Sequence, residues 1–160
     1  MNDEPVPGQT YLETLQLYYE EEIEGEAYFT AIAERLEGDA REKMQLLADV
    51  ETRAAEVTAP LLQRHGLTPR PRDELHAEGR KQAASVGAEY DALIARWRRE
   101  FPRYMEDFAR LEAMAPERDL PALRELTRHE TAAIAFLEAE AKGEADSARH
   151  LRAYLERAAP

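Results

Sequence analysis

The chain has 160 residues, with 33 acidic against 21 basic side chains, a formal net charge of -12 and no cysteine. That length fits one domain with a sizeable core. The charge repels phosphate backbones and anionic membranes, and the missing cysteines exclude disulfides, zinc–thiolate sites and thiol nucleophiles.

Ala, Leu and Glu dominate and glycine totals only 7, which favours long helices because unbranched side chains lose little rotamer freedom there. No apolar run reaches the roughly 18 residues of a membrane span. Met1-Asn2-Asp3-Glu4-Pro5 lacks the apolar stretch of a secretory signal. The expected protein is all-α and cytoplasmic, with neither nucleic acid nor membrane as partner.

After a tail over 1–9, Thr10-Tyr11-Leu12-Glu13 has capping-box spacing and predicts a helix start. That helix should stop near Gly38, and Asp39 should cap a second one running to Gly66. Pro69 and Pro71 then block continuation, so 67–87 reads as a long connection with partial helix. A third helix over about 88–115 contains Pro102, which should kink it. Asp119 should cap a fourth helix running to about Gly143, with a short fifth helix over 146–158.

Short links make helices 1–2 and 3–4 antiparallel pairs. A helix of about 27 residues is about 40 Å long, and about 20 extended residues span that distance. Helices 2 and 3 can therefore run parallel, giving a four-helix bundle with one long crossover and a short C-terminal helix.

Each long helix has an apolar seam with a glutamate at or beside it: Glu26 after Tyr19 and Ile23, Glu51 after Met44 and Leu47, Glu100 after Leu93 and Trp97, Glu130 after Leu123 and Leu126. All four fall about 16–18 Å from a bundle end, within about one helical turn of mid-height. Glu22, one turn before Glu26, is the reserve candidate. His129 stands beside Glu130 as a nitrogen donor. Buried carboxylates must be paired, protonated or bound to a cation, and oxygen-loving iron or manganese relieves their repulsion.

Glu22-Ile23-Glu24-Gly25-Glu26-Ala27-Tyr28-Phe29 resembles the first helix of the rubrerythrin-like branch of the ferritin-like superfamily. Residues 46–55, LLADVETRAA, look like its second helix, and His129-Glu130-Thr131-Ala132-Ala133 is similar to its last bundle helix. The resemblance implies a ferritin-like fold, iron or manganese held by carboxylates, and oxidoreductive chemistry with oxygen or peroxide. It carries Glu26, Glu51 and Glu130 over as metal ligands and, for helix 3, Glu100 when aligned on Phe108, whereas alignment on Pro102 puts Arg96 at that position. The family's two Glu-x-x-His histidines are replaced by Ala54 and Ala133. A rival expectation follows from that loss: a metal-free helical-bundle protein with a structural or interaction role. A homodimer is expected in either case.

The remaining features read as structure. Trp97, Phe101, Tyr104 and Phe108 should fill the core, and Arg96, Arg98, Arg99 and Arg103 should make salt bridges. No phosphate loop, nucleophile elbow or metalloprotease motif is present.

Overall fold

The computed structural model describes residues 7–157, and among these every regular element is helical. In chain order they are α1 (Gln9–Ala33), α2 (Gly38–Arg64), α3 (Arg72–Ala84), α4 (Tyr90–Glu100), a 3-10 turn (Phe101–Tyr104), α5 (Met105–Met114), a second 3-10 turn (Glu117–Asp119), α6 (Leu120–Ala141) and α7 (Arg149–Leu155). Of the tail expected over 1–9, residues 1–6 lie outside the described residues, and Gln9 already belongs to α1. Residue 158, the expected end of the fifth helix, also lies outside them.

Breaker residues explain most of the boundaries. Gly66, at φ +66°, closes α2 in the left-handed conformation while the Leu67 N–H donates to the Leu62 carbonyl. Gly143, at φ +71°, ends α6 in the same way, with Glu144 N–H on the Ala139 carbonyl. Pro102 gives the expected break, since α4 and α5 are joined through the 3-10 turn that contains it. The expected caps are not used. Gly8 precedes α1 with no side-chain cap and Thr10 sits inside the helix; Glu37, not Asp39, precedes α2. Asp119 precedes α6 but makes no cap bond, because its carboxylate is drawn into a buried network.

Two apolar clusters define the directions of the long elements. One contains Phe29 and Ile32 of α1, Met44 and Leu47 of α2, Leu93 and Trp97 of α4, and Phe136 and Leu137 of α6. The other contains Tyr11 and Leu15 of α1, Leu61 and Leu62 of α2, Phe108 and Leu111 of α5, and Leu123 and Leu126 of α6. α1 and α6 therefore run from the second cluster to the first, while α2 and the α4–α5 rod run the opposite way. α2 and α4–α5 are parallel, and the chain must cross the length of the bundle between them. Each fully buried Leu, Ile or Phe contributes about 1.5–3 kcal/mol of transfer free energy.

The crossover is largely helical. α3 lies along α1, and Gly79 sets the closeness of the approach. A Cβ at Gly79 would stand 2.1 Å from the Glu24 carbonyl oxygen and 3.1 Å from the Ala27 Cβ. α1 is thus covered on two sides and has two buried stripes. Tyr11, Leu15 and Phe29 face the bundle, whereas Ile23 shares a separate apolar cluster with Ala55 of α2 and Leu75 of α3.

At one end, Asp119 is fully buried and accepts hydrogen bonds from the Tyr11 hydroxyl and His65 Nε2, each at 2.6 Å, and from Arg64. Burial alone would raise this carboxyl, but those donors outweigh it and hold it below its ordinary value.

Candidate metal centre

Between the two apolar clusters lies a polar layer. α1 contributes Glu22, α2 contributes Glu51, and α6 contributes His129 and Glu130. Glu22, His129 and Glu130 are 5%, 2% and 6% exposed, well inside the range where an unpaired charge is costly.

His129 is oriented by its own helix. Its Nδ1–H donates to the Leu126 carbonyl one turn back, and because a carbonyl only accepts, the proton belongs on Nδ1. Nε2 then faces three carboxylates, at 3.0 Å from Glu22 Oε2, 3.6 Å from Glu51 Oε2 and 3.8 Å from Glu130 Oε2. A lone pair on Nε2 directed at carboxylate oxygens is repulsive. A proton or a metal cation must lie between them. Even a protonated His129 is outnumbered by the three carboxylates around it. Glu22 Oε2 and Glu130 Oε1 are buried with no hydrogen-bond partner. One ligand atom from each of Glu22, Glu51 and His129 falls within 4.8 Å of the others.

The carboxyls respond to this crowding by holding protons. Burial, followed by the charge of Glu130, pushes Glu22 up to about 8, against a lowering hydrogen bond with Glu51. Burial pushes Glu130 up to about 7, with His129 opposing and Glu51 reinforcing. Glu51 is raised well above the ordinary carboxylate range, by burial first and by Glu22 second.

Gly25 makes room for Glu51. A Cβ at this position would stand 3.0 Å from the Glu51 Cδ and 3.3 Å from its Oε1.

The structure brings together Glu51, Glu130 and His129, and adds Glu22. It does not bring Glu26 or Glu100 to them. Glu26 lies on the side of α1 covered by α3, where it pairs with Arg72 at 2.6 Å and lies 3.8 Å from His76. The Tyr19–Ile23–Glu26 seam belongs to that second buried stripe. Glu100 ends α4, partly exposed, and pairs with Arg96 one turn back at 2.8 Å. The bend through Phe101–Tyr104 turns the rod so that Phe108 faces the cluster, its ring edge-on to His129 with centroids 5.5 Å apart. The α4–α5 rod therefore supplies no carboxylate. Tyr104, expected in the core, is 46% exposed. Ala54 and Ala133, where the sequence resemblance led to an expectation of histidine, are core residues of the two apolar clusters.

Gly25 carries no role in the sequence reading, although a glycine inside a helix is itself a signal of close approach. Only its place beside Glu130 marks His129 in the sequence. Its direction depends on the Leu126 carbonyl, which sequence spacing does not reveal.

A cleft of about 470 Å3 leads from this layer to the surface between α1 and the α4–α5 rod, with Glu22, Glu51, His129 and Glu130 on its inner wall. No family model, curated protein or solved structure matches this chain. The fold and site define a class on their own terms: a helical protein with three carboxylates and one imidazole converging in its interior. Among the described residues no helix is long and apolar enough to cross a membrane.

Proposed function

We propose that this chain is a ferritin-like protein whose interior holds one iron or manganese ion on Glu22, Glu51, His129 and Glu130. The observation that carries this reading is the convergence on His129 Nε2 of buried carboxylates that include two unpartnered oxygens. Three oxygen donors and one imidazole suit iron or manganese. The antiparallel pairs joined by a long crossover support the ferritin-like arrangement. Di-metal proteins of that kind use four glutamates and two histidines. Four protein groups, with an aromatic ring in place of the fourth helix's carboxylate, suit a single ion.

A metal bound here would supply redox chemistry with oxygen or peroxide. The chain's own residues do the rest. Leu126 fixes the His129 tautomer, and Gly25 sets how far Glu51 can enter. The two apolar clusters close off the layer on either side along the bundle.

A second reading is favoured by the upward shift that burial gives to Glu22, Glu51 and Glu130 together. Here the carboxyls stay protonated and hold the bundle together without metal. Elemental analysis separates the two. Protein grown with added iron and manganese should retain about one ion per chain, and Glu51→Ala and His129→Ala should lose it. Metal-free wild-type protein, with a melting temperature indifferent to either ion, would leave only the protonated network.

A further inference from the structure

The cleft is much larger than an ion or a diatomic oxidant requires. At about 470 Å3 it falls in the size range of sites for small organic molecules, roughly 300–1,000 Å3. Its wall is rich in aromatic rings. Tyr18, Tyr28, Trp97, Phe101, Tyr104 and Phe108 all contribute to the wall. Trp97 and Phe101 stack with centroids 6.1 Å apart, and the Trp97 indole N–H donates to the Tyr28 hydroxyl.

Seven carboxyls line the cleft against one guanidinium, that of Arg96, which already pairs with Glu100. Asp107 pairs with Arg110, and Glu24 lies 3.8 Å from Arg70. Glu21 lines the same cleft, is exposed, and has no ion pair among the described residues. At the inner end, three ionised carboxylates around one divalent ion leave a single negative charge, so a metal-bound floor does not attract an anion. Glu130, 6% exposed, presents an unpartnered oxygen in the same cleft.

We infer that the cleft binds a flat organic cation of arylalkylamine type, with its ring among Phe101, Tyr104 and Phe108 and its ammonium group held at Glu21. Aromatic faces attract cations, and the surplus of carboxylates rejects an anion of the same shape. As the substrate class of the proposed metal site this rests on that reading, but the binding itself does not require metal.

Three probes with one ring and different charge test it: benzylammonium, benzyl alcohol and benzoate. Each is titrated into the full chain by calorimetry and by fluorescence of Trp97, the single tryptophan, with metal content measured on the same sample. Benzylammonium should bind at least about tenfold more tightly than benzoate, with benzyl alcohol between them. Glu21→Gln should remove most of that preference and leave metal content unchanged. Equal affinities, a preference for benzoate, or no binding of any probe at millimolar concentration would overturn the inference. A metal-free protein that still prefers the cation would sink the metal reading alone. A loaded protein without the preference would sink this one alone.

Discussion

Gly25 and Glu51 are in contact across the α1–α2 interface, and a single added methyl group at Gly25 would stand 3.0 Å from the Glu51 carboxyl carbon. In an open helix, Gly→Ala stabilises by about 1 kcal/mol. Here that gain is set against a displaced carboxylate. Gly25→Ala should leave the melting temperature nearly unchanged and weaken metal binding by about tenfold, the scale seen when groups supporting a ligand are disturbed. Undiminished metal affinity in Gly25→Ala would mean that Glu51 does not need this space.

The polar layer makes the metal-free protein sensitive to alkali. Glu22 and Glu130 titrate at about 8 and about 7 when folded, above their values in the unfolded chain. Between the ordinary carboxyl range and about pH 8 the folded state holds protons that the unfolded state has released. Stability must then fall as pH rises through that window. Thermal melts in EDTA should show a lower midpoint at about pH 8.5 than at about pH 6, and Glu22→Gln should flatten the slope. Added metal should reverse the trend, because it displaces the same protons. A metal-free protein equally stable at both values would contradict the crowding described here.

Asp119 works in the opposite direction. Its carboxyl is held below its ordinary value, so its contribution is present above the unfolded-state value and is lost as pH falls through the folded one. Asp119→Ala would leave Tyr11, Arg64 and His65 without their shared acceptor at neutral pH. The cost should be about 3–5 kcal/mol, read as a shift in the urea midpoint. A loss below about 1 kcal/mol would show that this end of the bundle rearranges freely.

Gly79 locks the crossover to α1. A Cβ there would meet the Glu24 backbone oxygen at 2.1 Å, and a backbone atom cannot swing aside. Gly79→Ala should cost about 1–3 kcal/mol and make 67–89 the first segment cut in limited proteolysis. Wild-type resistance to cleavage in this variant would argue that α3 is not held by close contact.

Much of the fold is legible along the chain. Gly66, Gly143 and Pro102 act locally, ending or bending a helix near their places in the sequence, and Pro69 and Pro71 fall in the short link before α3. Capping is less legible. Asp119 has the chemistry of a cap, but Tyr11 and His65, far away along the chain, offer its carboxylate better donors. Glu51, Glu130 and His129 are readable as site candidates because each sits at or beside a seam with one buried face. Glu26 misleads because α1 carries two buried stripes of nearly the same period, and the stripe that holds Glu26 faces α3.

Composition and apolar period by themselves determine that this chain is helical, where its breaks fall and that glutamates recur near the middle of its long helices. These are properties of neighbours a few residues apart. Which glutamate turns inward was decided only by the tertiary structure. Glu22 and Glu26 are one turn apart on the same helix, and packing α3 against one side of α1 gave Glu26 to the arginine of the crossover and left Glu22 to face His129. The interior of a bundle is defined by contacts between segments far apart in sequence, and no local period records them.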